Sequence, residues 1–379
     1  MKKITSLFLG ISVLLTGCTQ YLPVKENHDI TTTENTTCIQ EEKYIPLNFA
    51  YQTGQWFPYI SFPDYMQDKT EDEFTSEITK QLTDASQNGI NTVYFHIHPE
   101  GDAYYNSSIY PKGKYNNCGY DPLKIVIDTA HSMNISVHGW INPYRMQTAD
   151  EMEQLPDTFI VKKWINSGSP MVKLVADRWY LNPAYDEVTA LITDTVKEII
   201  ENYSVDGIHI DDYFYPATSE DFDIEAFELS CEDDLADWRR NNVTEMVKAV
   251  FDTVKDYDER ILFGISPQGN INADYNTQFA DVELWTENKG YADYIIPQIY
   301  YGFENEVCPF EQTLHQWEEL AESNNVSLII GLAEYKQNKY DKWAGVSGEL
   351  EWIENDDIIP RQIELVKSSY TADGYALYK

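Results

Sequence analysis

Positive charge is scarce in this chain. Lys and Arg number 27 against 63 Asp and Glu in 379 residues, a net charge of −36. Nucleic acid and anionic lipid both need a cationic face, so neither is the expected partner. A neutral or weakly charged substrate fits this balance better. Cysteine is sparse too. Cys18, Cys38, Cys118, Cys231 and Cys308 are widely spaced and match no zinc-ligand pattern. No metal or other cofactor is expected from them. A glycine-rich nucleotide loop is missing as well, which argues against a doubly wound dinucleotide-binding sheet. What the chain has in quantity is rings: 28 Tyr, 15 Phe and 9 Trp. Amphipathic rings in such numbers suit a sugar-binding surface, and equally a core with wet edges.

The amino terminus reads as a targeting segment. "MKKITSLFLGISVLLTGC" carries two lysines, an apolar run too short to span a bilayer as a mature helix, and a small pair before Cys18. It resembles a bacterial lipoprotein signal. Residues 1–17 are then removed, and Cys18 becomes the lipidated first residue. The polar stretch 18–50, with "TTTENTT" inside it, reads as a flexible tether. The expected location is the extracellular face of the cell membrane, with membrane contact through the lipid alone. The remaining cysteines can be paired or free in that setting.

From residue 51 to 379 strand and helix patterns alternate. Apolar strand runs are read at 58–62, 91–99, 135–143, 205–211, 261–267, 293–301, 326–335 and 374–379. Amphipathic helices are read between them. In one of these, Thr70 and Glu73 have capping-box spacing, and Phe74, Ile78, Leu82 and Ala85 form one stripe. The α/β alternation with eight strands predicts a (β/α)8 TIM barrel. The sequence stops on the eighth strand, so the last helix is lacking and one side is expected to be open or the chain truncated.

Period-2 alternation sorts the strand residues by face. Gly207, His209 and Asp211 share one face, opposite Ile208 and Ile210. Tyr94, His96 and His98 do the same in the second strand. His138, Trp140 and Asn142 follow in the third, and Gln298 and Tyr300 in the sixth. These polar sets are expected inside the barrel, although apolar layers usually fill one. The stretch "GIHIDDYFYP" (207–216) puts Asp211 and Asp212 at a strand end, where barrel enzymes hold their chemistry. Paired carboxylates there suit glycoside hydrolysis: one protonates the leaving oxygen, the other attacks or supports the cationic sugar. Asp211 is read as the nucleophile or base. Asp212, Glu100 and Asp102 are candidates for the acid. Tyr213 and Tyr215 can desolvate an acid and stack on a sugar. "NPYR" adds Tyr144 and Arg145, the latter suited to a carboxylate or an acidic sugar substituent. Two other readings stay open. His96, His98, His138, His209 and Asp211 can be read as the ligands of a metal-dependent hydrolase. The same rings and amides can also bind glycan without turnover.

"NTVYFHIHPEGDAYY", "HGWINPYR", "LNPAYDEV", "VDGIHIDDYFYP", "FGISPQGN", "DYIIPQIYYG" and "DIIPRQIELV" occur in that order. In these blocks the chain resembles the glycosyl-hydrolase-like family 10 proteins, also called domain of unknown function 187. The resemblance runs from about residue 55 to the end. It implies a (β/α)8 barrel related to glycosidases, secreted or lipid-anchored, with some relatives cutting peptidoglycan glycan strands. It points to Asp211 and Asp212 as catalytic. It also points to Asp102, His138, Trp140, Asn142, Arg145, Tyr213, Gln298 and Tyr300 as cleft residues. The expected activity is therefore a glycosidase on a cell-wall polysaccharide.

Overall fold

The structure, a computed structural model, describes residues 44–379 other than 118 and 324. The signal segment, Cys18, Cys38, Cys118 and the tether up to residue 43 lie outside the described residues. Cys231 and Cys308 are free thiols.

Eleven strands are present among the described residues: β1 (Gln52–Phe57), β2 (Thr92–His98), β3 (Ser136–Ile141), β4 (Arg145–Thr148), β5 (Val172–Val175), β6 (Arg178–Leu181), β7 (Gly207–Ile210), β8 (Leu262–Ile265), β9 (Tyr294–Ile295), β10 (Ser327–Ala333) and β11 (Ala372–Tyr378). Eight of them close into a barrel in the order β1-β11-β10-β9-β8-β7-β3-β2, with parallel pairing throughout. The expected open side is not there. β11 pairs directly with β1, with Gly54 opposite Ala376, so the ladder closes without a helix after the last strand. The crossovers carry α1 (Glu71–Gln87), α2 (Pro122–Ser132), α3 (Asp186–Asn202), α4 (Leu235–Tyr257), α5 (Val282–Glu287), α6 (Phe310–Leu320) and α7 (Ile358–Ser368). This is a (β/α)8 TIM barrel.

Local chemistry explains most of these elements. Thr70 and Glu73 close a reciprocal capping box on α1, and its predicted stripe is buried. Asp121 caps α2 ahead of Pro122. The first strand is displaced from its expected position. "PYISF" forms helical turns at 59–61 and 62–65, because Pro63 is suited to a helix start, and "QTGQWF" is the strand instead.

Two apolar layers result. Val93, Phe95, Val137, Ile208, Ile210, Phe263 and Ile265 face the helices in the larger one. Trp56, Tyr94, Trp140, Tyr294, Ile296, Ile329 and Ala376 fill the barrel interior. The predicted split of faces therefore holds along these strands except at His98. Small residues make room inside. A Cβ on Gly207 would sit 2.6 Å from His138 Nδ1, and one on Gly264 would sit 1.8 Å from the Tyr294 ring.

Two features lay outside the sequence reading. β4, β5 and β6 form a separate antiparallel sheet between β3 and α3. Residues 44–48, read as tether, are fastened to the barrel: Tyr44 Oη donates to Asp206 Oδ1 at 2.6 Å, and Leu47 N–H donates to the same oxygen at 2.6 Å. Among the described residues no helix is long and apolar enough to cross a membrane.

Candidate active site

A cavity of about 410 Å³ opens beyond the C-terminal ends of the barrel strands. Asp211 and Asp212 follow β7 directly and both line it. Trp140 and Asn142 come from β3 and its exit, Arg145 from β4, Gln298 and Tyr300 from the loop after β9, and Tyr213 follows the Asp pair. These eight predicted residues meet in one place.

Asp211 is buried, with one oxygen accepting the Tyr213 N–H at 3.3 Å. Burial, then the adjacent Asp212 charge, push its carboxyl well above the usual range. Asp212 is pushed up to about 6 by burial, while a hydrogen bond from Gln298 pulls the other way. Two neighbouring carboxyls are thus both raised, chiefly by burial, and Asp211 is the more enclosed of them.

Rings surround them. His96 lies flat on Trp140, with centroids 3.6 Å apart and planes 10° apart. Tyr59 meets His96 edge-on at 5.3 Å. Tyr300, Tyr335 and Tyr378 form a cluster with centroids 5.6–6.1 Å apart. Arg145 lies 5.2 Å over the half-exposed Tyr213 ring. Trp56, Tyr59, Tyr335 and Tyr378 line the cavity and were not singled out from sequence. Trp56 lies one residue from the end of the displaced first strand, and Tyr378 ends the last one.

Six predicted residues lie elsewhere. Glu100 is buried behind the wall, where it accepts from Arg178 at 2.9 Å, Lys114 at 3.1 Å and Arg145 at 3.3 Å. Tyr59 Oη also donates to it, at 3.0 Å. These contacts tie the Glu100 side chain up away from the cavity, so its expected role is corrected: it positions Arg145 and Tyr59 and is not placed to meet a substrate. Asp102 is buried and accepts the Glu100 N–H at 3.0 Å, and burial raises it to about 7. It shapes the loop after β2 and does not line the cavity. Tyr144 is buried in the helix-facing core. Tyr215 points to Asp223, with Arg239 5.0 Å over its ring.

His138 and His209 lie below the cavity inside the barrel. Trp56 Nε1–H donates to His209 Nε2 at 3.1 Å. That nitrogen is therefore bare, and the neutral ring carries its proton on Nδ1. Nδ1–H then donates to Tyr294 Oη at 3.1 Å, and Tyr294 O–H donates to His138 Nδ1 at 2.7 Å. Burial lowers the pKa of both histidines, that of His138 to about 4.

The histidines do not converge as metal ligands. His98 leaves the inward set because the β2–β3 register slips between His96 and His98, and its Nδ1 bonds the Asp102 carbonyl at 2.7 Å. His96 stacks on Trp140 and lines the cavity, while His138 and His209 lie deeper and are bonded to Tyr294. Among the described residues no three His, Cys, Asp or Glu side chains are placed to share an ion.

A parallel barrel with acids and rings at its C-terminal rim defines a carbohydrate-active class of fold. The chain belongs to the Glycosyl hydrolase-like 10 family, whose profile matches residues 54–344. Glycosyl hydrolase DigH of Escherichia coli K12 is 31% identical over 329 residues, spanning 77% of this chain and 72% of that protein. Glycosyl hydrolase YngK of Bacillus subtilis is 31% identical over 327 residues, 78% of this chain and 62% of the relative. The glycoside hydrolase domain of PgaB (BpsB) from Bordetella bronchiseptica superposes with a TM-score of 0.58 at 10% identity, covering 87% and 94% of the two chains. That likeness is one of fold.

Proposed function

We propose that this chain is a glycosidase of the cell envelope, cutting the glycan strands of peptidoglycan by carboxylate acid/base catalysis. The observation that carries the reading is the Asp211–Asp212 pair, unequally buried, inside a ring-lined cavity at the barrel rim. Burial assigns the roles the other way round from the sequence reading. Asp211, the more enclosed of the two and raised well above the usual carboxyl range, gives its proton to the glycosidic oxygen as the C–O bond breaks. Asp212, ionised above about 6, acts as base or nucleophile toward the sugar carbon, and water supplies the hydroxyl that ends there. Trp140, Tyr213 and Tyr300 offer ring faces to the sugar. Arg145, held at 3.3 Å by Glu100, suits an acidic substituent such as the lactyl carboxylate of the wall sugar. The amino-terminal lipoprotein signal supports a place at the extracellular face of the membrane.

The test is incubation with purified peptidoglycan, with and without its stem peptides, and mass spectrometry of the products. New reducing ends that vanish in Asp211→Asn and Asp212→Asn are the expected result. Glycan that is bound and never cut refutes catalysis.

A further inference from the structure

The catalytic cavity has a neighbour. A second cavity of about 340 Å³ lies beside it and shares Gln298 and Tyr300 as a common wall. Its other residues come from loops after β8, β9 and β10, so it belongs to the same rim. A third cavity of about 790 Å³ adjoins the second through Asn270, Val307 and Cys308. The three follow one another along the barrel edge away from Arg145.

The second cavity is built for a neutral, ring-shaped ligand. Trp343 lines it and is 77% exposed, the most exposed tryptophan among the described residues. Lys342 lies 4.7 Å over the Trp343 ring. The backbone beneath is fixed, since Trp343 N–H donates to Asp341 Oδ1 at 3.2 Å and Ala344 N–H to the Asp341 carbonyl at 3.0 Å. Lys336 ties this loop to the shared wall, donating to Asp341 Oδ2 and to the Tyr300 carbonyl, each at 2.7 Å. The only lysine lining this cavity is therefore neutralised. Gln268, Asn270 and Asn305 supply amides. Asn305 Oδ1 already accepts the Val307 and Cys308 N–H groups at 3.0 and 2.8 Å, so its NH2 is left as a donor. An exposed indole on a fixed backbone, with the Lys342 ammonium against its ring and beside amides and a paired Lys336, matches a polar, uncharged sugar unit.

We infer that the second cavity is a further glycan subsite, in which Trp343 stacks on a neutral or N-acetylated sugar of the same chain whose scissile bond lies over Asp211. This rests on the glycosidase reading above. Cleavage is then internal to a chain, with one acidic substituent toward Arg145 and one uncharged unit stacked on Trp343.

The probe is a set of β-1,4-linked N-acetylglucosamine oligomers, from two to six units. Binding is measured by titration calorimetry in the Asp211→Asn protein, which holds them uncut. Affinity is expected to rise about tenfold or more from the two-unit to the six-unit oligomer. Adding Trp343→Ala removes most of that rise, and Trp343→Phe restores part of it. In the unsubstituted protein the same change lowers kcat/KM on long strands more than on short ones. Affinity independent of length, or a rise that survives Trp343→Ala, overturns the subsite while leaving glycosidase activity on peptidoglycan intact. Failure to bind or cut any glycan overturns both readings together.

Discussion

A carboxylate kept for chemistry should weaken the fold that holds it, and Asp212 allows this to be measured. Its pKa is moved from the ordinary 3.8 to about 6, mainly by burial. The folded chain therefore binds this proton roughly a hundredfold more tightly than the unfolded chain, a difference of about 3 kcal/mol. The sign follows from which state is charged. Below 3.8 both states are protonated and the site is neutral in its effect. Between 3.8 and about 6 the unfolded chain is ionised and the folded one is not, so stability falls as pH rises. Above 6 the full cost is present. Asp212→Asn keeps the shape and removes the charge. Its stability relative to the parent should be unchanged near pH 4, climb through pH 5 and 6, and level off by pH 8. The plateau should be about 2 kcal/mol, since the side-chain hydrogen bond from Gln298 is weaker to a neutral amide. Urea unfolding of both proteins at each pH measures it, because groups remote from the pair cancel in the comparison. A difference that is flat with pH, or a loss at pH 8, refutes the reasoning.

The rate of glycan cleavage should follow a bell in pH. Its acid limb lies near 6, where Asp212 ionises, and its alkaline limb lies where Asp211 loses its raised proton. Glu100→Gln leaves Arg145, Arg178 and Lys114 without their shared anion and should cost about 3 kcal/mol in thermal or urea unfolding. The same change should raise KM more for substrates bearing the acidic substituent than for neutral ones. Gly264→Ala forces a Cβ into the Tyr294 ring and should destabilise by about 2–3 kcal/mol, or more if the ring cannot turn aside.

The barrel was legible because parallel strands and helices have different periods, and because each strand's outer face is an unbroken apolar set such as Ile208 and Ile210. The Asp pair was legible because two carboxyls at a strand end have no place in a core. β1 was not. "QTGQWF" faces the barrel interior through Gln52, Gly54 and Trp56, and Gln52 bonds Tyr94 at 3.0 Å, so it lacks the apolar signature of a buried strand. The insertion sheet β4–β6 was also invisible, since each strand is four residues long and pairs only with the others. Glu100 looked like a free acid because Arg178, which lies 78 residues later, reaches it only after that sheet folds back. His138 and His209 alternate with the cavity residues along their strands, yet depth along the barrel separates floor from cellar, and period-2 reasoning does not measure depth.

The string running from Trp56 through His209 and Tyr294 to His138 has one further consequence. A proton can be relayed along hydrogen bonds only if every member both gives and takes one. The indole N–H at its head can give but has no lone pair with which to take. The column beneath the cavity is therefore an insulator. On the proposed glycosidase reading, a proton handled by Asp211 would stay at the rim, passing to substrate or water, with the barrel's polar interior taking no part.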